Sequence, residues 1–282
     1  MTTVMKAIAS NGGSTSALQR EDLFKQVLKS IPVDLLKGRK IVVTGAARGL
    51  GLAFAHCIGK AGAELVIADI LQDELVLAAD ALRQTGAVVH SVPLDLADVD
   101  SITVAAQRAI ELLGGLDGLV NNAAVTDSGG LSAHALTVPV WDRVMNVNVR
   151  GTWLMSRACH AALAASGRGA IVNLTSDTVL WGAPNLLAYV ASKGAVSAVT
   201  HSLAREWGGD GITVNAIAPG LTLVEATAYV PQARHQHYVE GRALPREQHA
   251  ADVCGAVLFA LSDLSRYVTG QVLPVNGGFV MH

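Results

Sequence analysis

From residue 40 onward, short runs of β-branched and other apolar residues alternate with longer segments of helical periodicity. The apolar runs predict strands at 41–43, 65–67, 88–89, 119–120, 171–172, 212–217 and 272–275. Helical segments separate most of these runs, which favours right-handed βαβ crossovers. We therefore expect an α/β fold: a doubly wound, Rossmann-like parallel sheet in a single domain, with helices on both faces.

Residues 1–39 have a different pattern. Residues 1–15 are polar and contain Gly and Ser, and we expect them to be mobile. Residues 16–19 then match a capping box. A short amphipathic helix is predicted to follow and to end at Pro32, with an apolar stripe at Phe24, Val27, Leu28 and Ile31. We expect this stripe to pack on the domain or on a neighbouring subunit, with a separate scaffolding role as the alternative, and we place one domain over residues 40–282.

Composition and charge narrow the class of protein. Hydrophobic residues make up 51% of the chain and charged residues 16%, as suits a sheet covered on both faces. The net charge is -2, with no basic stripe, so nucleic acid is not an expected partner. No run of 18 residues is apolar throughout, and the N-terminus lacks the apolar core of a secretion signal. Three widely spaced cysteines fit thiols in a reducing compartment, so we expect a cytoplasmic protein without a membrane partner.

A glycine turn follows the first predicted strand. The segment TGAARGLG contains Gly45, Arg48, Gly49, Leu50 and Gly51 and leads into a helical stretch. Glycines there let the chain turn tightly and bring backbone N–H groups to a pyrophosphate at a helix N-terminus. The spacing G-x-x-x-G-x-G differs from the common G-x-G-x-x-G, and in a chain with 28 glycines a chance cluster is the alternative.

The next predicted strand ends at Asp69, 18 residues after Gly51. A carboxylate there accepts hydrogen bonds from the adenosine ribose and repels a 2'-phosphate, so NAD is the expected cofactor. Arg48 argues against this preference, because a cation in the glycine turn could bind the 2'-phosphate of NADP. The simpler interpretation of Asp69 is a helix cap, and both roles can coexist.

Two further loops follow predicted strands and contribute candidate cofactor-binding residues: Asp95 and Leu96 after the third, Asn122 and Ala123 after the fourth. Loops at the carboxyl ends of parallel strands line the ligand crevice. The alternative is that these polar side chains only satisfy backbone groups between strands.

Tyr189 and Lys193 lie one turn apart in a predicted helix over 187–207, so their side chains share a face. A free phenol has a pKa near 10, and a cation at roughly 4 Å is worth about 4 kcal/mol at an effective dielectric near 20. We therefore expect Lys193 to lower the pKa of Tyr189 and make it an acid/base. Ser176 ends another strand and is expected to bind a substrate oxygen. Asn148 is expected to bind a proton-relaying water, although capping is the simpler role for both.

Together these motifs resemble the short-chain dehydrogenase/reductase family in its shorter form. The resemblance spans about residues 40–282 and includes TGAARGLG, NNAA, NVNVRG, YVASK, NAIAPG and TGQVLPVNGG in the family's order, with Ala124 where the family usually has Gly. It implies a catalytic tetrad of Asn148, Ser176, Tyr189 and Lys193, with Tyr189 and Lys193 also contacting the cofactor. It further implies that Pro219, Gly220 and Thr222 lie beside the nicotinamide, and that the chain forms a homotetramer or dimer.

The implied reaction is hydride transfer between NAD(H) and a secondary alcohol or ketone, with Tyr189 as acid/base. An NADP-preferring carbonyl reductase and a non-catalytic NAD-binding regulator are the alternatives. The family's variable substrate lid falls at about 221–244, where Arg234, His235 and His237 are expected on a solvated loop face rather than at an anion or metal site. Trp181 is a candidate pocket wall or core aromatic.

Overall fold

Seven parallel strands form the central sheet of the protein. A computed structural model describes residues 16–281, with side chains from residue 22 onward. The strand bounds are β1 Lys40–Thr44, β2 Glu64–Asp69, β3 Val89–Pro93, β4 Gly118–Asn121, β5 Ala170–Leu174, β6 Thr213–Pro219 and β9 Val272–Val275. The strands pair in the order β3-β2-β1-β4-β5-β6-β9. The order reverses between β1 and β4, which confirms the doubly wound sheet and opens a crevice at its carboxyl edge. A separate ribbon pairs β7 (Thr222–Leu223) with β8 (Gln248–His249).

Helices cover both faces of this sheet. In chain order they are α1 Ser16–Ser30, α2 Gly49–Lys60, α3 Gln72–Gln84, α4 Val99–Leu113, α5 Val138–Met145, α6 Thr152–Ala165, α7 Thr178–Trp181, α8 Leu187–Trp207, α9 Gln232–Gly241 and α10 Ala250–Leu261. Helices α1, α2, α3 and α10 share one apolar cluster with the sheet. Helices α4, α6 and α8 share the other. Within residues 16–281, each helix is too short or too polar to cross a membrane.

The predicted bounds of some strands differ from the observed ones at their ends. The strand at 272–275 and the helix at 187–207 are as predicted. The strand expected at 88–89 runs over Val89–Pro93, because its polar residues still pair with β2. The strand expected at 212–217 runs over Thr213–Pro219, and the one expected at 171–172 runs over Ala170–Leu174.

Helix α1 packs on the domain through its apolar stripe. Phe24 and Ile31 are buried, and Val27 and Leu28 pack against the same cluster. The ring of Phe24 meets that of His56 on α2 edge-on, with centroids 5.9 Å apart. Residues 1–15, expected to be mobile, and the side chains of the expected capping box at 16–19 lie outside the described part of the chain.

A buried chain of polar side chains fixes the second helical layer to the sheet. The Asn121 amide, at the end of β4, donates to Ser156 Oγ on α6 and to Asn173 Oδ1 on β5, each at 2.9 Å. The Asn173 amide donates in turn to Thr200 Oγ1 on α8 at 2.9 Å. Because unpaired polar groups are costly in a core, these bonds specify one position of α6 and α8 over the sheet.

Candidate active site

The glycine turn between β1 and α2 leaves no room for side chains at two of its glycines. A Cβ on Gly45 would lie 2.6 Å from Ala123 Cα, and one on Gly51 would lie 2.1 Å from the Gly45 carbonyl oxygen. Gly45 and Gly49 also have positive φ, at 66° and 61°. The helix therefore begins within the turn, and its first N–H groups form a cradle for an anion.

Asn122 and Ala123 close the turn from β4. The Asn122 amide donates to the carbonyls of Thr44 and Gly45 at 3.0 and 2.9 Å. Thr44 Oγ1 accepts from the N–H groups of Asn122 and Ala123 at 3.1 and 3.2 Å. Asn122 thus holds the shape of the glycine turn, and Thr44, which sequence reasoning missed, is its counterpart on β1.

Asp69 lies at the tip of β2 beside the same turn. Its Oδ2 accepts from the Ala47 N–H at 3.0 Å, and its Oδ1 accepts from the Leu71 N–H at 3.1 Å. The residue is 9% exposed. Each carboxylate oxygen has a second lone pair, so the local capping role leaves acceptor capacity for ribose hydroxyls.

The other predicted cofactor residues near the turn have different surroundings. Arg48 is exposed at the start of α2, and Leu50 is half-buried in its first turn. Asp95 Oδ1 accepts from the Ala97 N–H at 2.8 Å, which is a local loop contact. Leu96 is buried against Gly151, where a Cβ would lie 2.7 Å from the Cβ of Leu96.

The fold brings Ser176, Tyr189 and Lys193 together at the carboxyl edge. Ser176 follows β5, and its hydroxyl lies near enough to the phenol of Tyr189 on α8 to influence the pKa of that phenol. Lys193 Nζ lies 5.7 Å from the centre of the Tyr189 ring. Lys193 is buried and donates to the Leu174 carbonyl at 2.7 Å, so α8 is tied to the end of β5. A phenol, a hydroxyl and an ammonium therefore converge on one point of the crevice.

The electrostatics of the Tyr189 phenol correct the sequence-based expectation. Burial raises the pKa of Tyr189, the neighbouring Ser176 hydroxyl opposes that rise, and the charges of Tyr229 and Asp177 add to it. Burial also lowers the pKa of Lys193 to about 8. The expected cationic effect is outweighed because α8 puts both groups in a desolvated site, where each charged form is disfavoured.

Asn148 makes structural hydrogen bonds in addition to the water contact expected of it. It lies in a π-helical turn, Asn146–Gly151, between α5 and α6. Its Oδ1 accepts from the Val125 N–H at 2.7 Å, and its Nδ2 donates to the Val125 carbonyl and to Ser192 Oγ at 3.1 and 3.0 Å. These bonds make its side chain fix the segment after β4 and the start of α8, while Oδ1 keeps a second lone pair, so the expected water contact stays a prediction.

The residues after β6 line the same edge. The Pro219 carbonyl accepts from the Asp177 N–H at 3.1 Å, and the Gly220 N–H donates to the Val275 carbonyl at 3.0 Å. Thr222 Oγ1 donates to the Gly220 carbonyl at 3.0 Å. A Cβ on Gly220 would lie 2.9 Å from Gln248 Oε1 and 3.0 Å from Asn276 Cβ, so a side chain there would crowd its neighbours.

The expected lid at 221–244 contains a helix rather than only a solvated loop. Helix α9 spans Gln232–Gly241 and carries Arg234, His235 and His237. On the buried face of α9, the ring of Tyr238 stacks on the ring of Phe279, with centroids 4.3 Å apart. Phe279 lies outside the expected lid, so the helix packs on the rest of the domain. Trp181 belongs to this aromatic cluster, as the ring of His237 lies 6.0 Å from it.

Two acidic residues at the site were missed by sequence reasoning. Asp177 is fully buried, and burial raises its pKa to about 7, opposed by Tyr238, Arg242 and Asn276. Glu225 lies over the start of α2, its Oε2 3.8 Å from where a Cβ on Gly49 would be. Burial raises the pKa of Glu225, while its own N–H, Arg48 and the Gly49 N–H oppose the rise. The position of Asp177 next to Ser176 was the available sequence signal, but its partner lies 61 residues away.

Comparison with known proteins identifies the family. A family model described as enoyl-(acyl carrier protein) reductase matches residues 45–280. A relative from Xanthobacter autotrophicus, 2-(S)-hydroxypropyl-CoM dehydrogenase 3, is 37% identical, over 86% of this chain and 97% of its own. A solved structure described as a short-chain alcohol dehydrogenase from Sinorhizobium meliloti has a TM-score of 0.83 and 33% identity, over 88% of this chain and 98% of its own. The chain belongs to the short-chain dehydrogenase/reductase family.

This membership makes the protein an oxidoreductase of a family that binds nicotinamide cofactors. Another similar structure, described as an NAD(P)-dependent gluconate 5-dehydrogenase from Beutenbergia cavernae, holds NADP at low occupancy. Its TM-score is 0.82 at 35% identity, over 88% of this chain and 98% of its own. The family and the fold are thus confirmed.

Proposed function

We propose that this short-chain dehydrogenase/reductase interconverts a secondary alcohol and a ketone on a small organic molecule, with NAD(H) as cofactor. The observation that carries the proposal is the convergence of Ser176, Tyr189 and Lys193 at the carboxyl edge of the sheet. A non-catalytic NAD-binding regulator has no use for that convergence, so we favour an enzyme.

The site fits a dinucleotide. The turn at Gly45 and Gly51 has no room for a Cβ, and the N–H groups that open α2 suit a pyrophosphate. Asp69 is positioned to accept ribose hydroxyls and to repel a 2'-phosphate, which favours NAD over NADP. Lys193, Pro219, Gly220 and Thr222 are proposed to flank the nicotinamide half. When bound, the cofactor supplies or accepts the hydride.

The residues of the chain handle the proton and the substrate oxygen. Ser176 donates a hydrogen bond to that oxygen and so aligns it with the Tyr189 hydroxyl. In oxidation, the Tyr189 phenolate takes the alcohol proton; in reduction, the phenol returns it to the carbonyl oxygen. The positive nicotinamide ring and Lys193 both favour the phenolate, against the burial that raises the pKa of Tyr189. Asn148 fixes the segment around Val125 that faces this site.

We propose a cytoplasmic homotetramer assembled through the helices that carry Asn148 and Tyr189. Apolar side chains are exposed on that side, including Val138, Trp153 and Leu187. The three cysteines are buried free thiols, as suits a reducing compartment. Light scattering tests the assembly, and a monomer at micromolar concentration would contradict it.

A substrate panel tests the activity. Secondary alcohols, polyols, hydroxy acids and alicyclic or aromatic ketones are offered with NAD(H) and, separately, NADP(H), and nicotinamide absorbance is followed. We expect turnover with at least one class and a higher kcat/KM for NAD(H). A preference for NADP(H) would support the alternative that Arg48 favours. Cofactor binding without turnover on any substrate would support the regulator.

A further inference from the structure

Asp177 is a buried carboxyl group directly after Ser176, and the proposed chemistry does not use it. Its side chain is completely shielded from solvent. Its N–H donates to the Pro219 carbonyl at 3.1 Å, and its own carbonyl accepts from the Leu180 N–H at 2.9 Å. The backbone of Asp177 is therefore fixed between the end of β6 and the short helix α7.

The side chain of Asp177 reaches the lid helix. Tyr238, on α9, donates its hydroxyl hydrogen to Asp177 Oδ1 at 2.9 Å. The same hydroxyl oxygen accepts from Trp181 Nε1, on α7, at 3.2 Å. The Tyr238 hydroxyl is thus held by an acceptor and a donor that both belong to the segment following Ser176.

Arg242 anchors the lid next to this contact. Its guanidinium carbon lies 5.2 Å from the centre of the Tyr238 ring. It donates to the carbonyls of Leu221 and Asn276 at 2.9 and 3.1 Å. The lid therefore has a fixed end at Arg242, and the bond to Asp177 determines how closely the helix approaches Ser176.

Burying a carboxyl group costs free energy that a residue needed only for packing would not have to spend. The second oxygen of Asp177, Oδ2, is buried and makes no hydrogen bond of ordinary geometry in the described part of the chain, although Asn276 and Arg242 are near enough to lower the pKa of the carboxyl group. Burial of such a group is disfavoured, and an apolar residue of similar size would pack at lower cost. The directional bond to Tyr238 is what an apolar residue could not provide.

We propose that Asp177 is a positioning residue that, through the Tyr238 hydroxyl, holds helix α9 against the segment following Ser176 and so sets the width of the substrate pocket. The inference rests on the proposed function, because the pocket is the one in which Ser176 and Tyr189 act. Asp177 does not touch the reacting atoms in this role. Loss of the bond therefore weakens substrate binding more than the chemical step.

Steady-state kinetics on Tyr238→Phe and Asp177→Ala test the role. Each variant should raise the KM for the alcohol or ketone about five- to tenfold, as expected for loss of one hydrogen bond, with a smaller change in kcat. The double variant should be no worse than the worse single one, because both remove the same bond. Asp177→Asn keeps an acceptor for the tyrosine and should recover most of the KM. Tyr267→Phe, at a fully exposed tyrosine, is the matched control.

Two outcomes would overturn the proposal: an unchanged KM in Tyr238→Phe, or single effects that multiply in the double variant. Hydrogen exchange provides a readout that needs no turnover, and it separates this proposal from the proposed function. Tyr238→Phe should speed exchange at the amides of α9 and leave those of α8 unchanged. If the amides of α9 exchange equally fast in the wild type and in Tyr238→Phe, the positioning role is contradicted. If the wild-type protein is inactive but Tyr238→Phe exchanges faster in α9, only the proposed chemistry is contradicted. Faster exchange in α8 as well would indicate general unfolding and also contradict the role.

Discussion

Asp69 Oδ2 accepts a hydrogen bond from the Ala47 N–H at 3.0 Å, so the residue proposed to select the cofactor also holds the glycine turn in place. The two roles are linked through one carboxylate. A change at Asp69 therefore alters the charge beside the proposed ribose site and the support of the turn that we propose binds the pyrophosphate.

Replacing Asp69 with Asn tests cofactor selection. The amide oxygen can still accept from the Ala47 N–H, whereas the negative charge and the acceptor for the Leu71 N–H are lost. We expect kcat/KM with NADP to rise at least about tenfold, or about 1.4 kcal/mol, and kcat/KM with NAD to fall. Asp73→Asn, at an exposed position of α3, is the control. An unchanged ratio between the two cofactors would contradict the selective role of Asp69.

Tyr189→Phe tests the acid/base. Removing the hydroxyl leaves the ring packed on α8, so NADH binding measured by fluorescence should change less than about threefold. Turnover should fall by at least about a thousandfold, because general acid/base catalysis contributes on this order. Retained turnover would refute the assignment of Tyr189. Tyr267→Phe serves again as the exposed control.

Glu225→Gln tests a carboxylate that lies over the start of α2, where a pyrophosphate is expected. Two anions repel, so removing the charge should tighten NADH binding about fivefold, or about 1 kcal/mol, in a fluorescence titration. Glu111→Gln, exposed on α4, should leave the affinity unchanged. Weaker binding in Glu225→Gln would mean that the carboxylate helps to hold the cofactor.

His56 makes the packing of α1 sensitive to pH. Burial beside Phe24 lowers the pKa of His56 to about 4. Since the unfolded state takes up the proton first, this stability is present above pH ~6.5 and is lost as the pH falls toward ~4, by up to about 3 kcal/mol. Urea unfolding at both ends of this window should show a smaller loss for His56→Gln than for the wild type, with exposed His134→Gln as the control. An equal loss in all three proteins would contradict the assignment.

The strands and the glycine turn could be predicted from the sequence because their signals are local. Val42 and Val43 belong to a short β-branched run, and the glycines that follow are required by contacts within a few residues or with the next strand. Tyr189 and Lys193 lie on one helix, so their proximity follows from helical geometry alone.

The ionisation of Tyr189 and the role of Asn148 could not be predicted in this way. The pKa of Tyr189 depends on burial by elements from the whole chain. The partner of Asn148 is the backbone of Val125, 23 residues away. The bond between Asp177 and Tyr238 likewise joins two segments whose patterns give no sign of each other.

A chain of side-chain hydrogen bonds runs from Ser156 through Asn121 and Asn173 to Thr200. It fixes the position of α8, the helix that carries Tyr189, relative to the sheet. A displacement of α8 by one ångström along the direction of the bond from Asn173 to Thr200 would stretch that bond from 2.9 Å to about 3.9 Å, beyond hydrogen-bond length. The chain of bonds therefore holds α8, and with it the phenol of Tyr189, at one distance from the sheet.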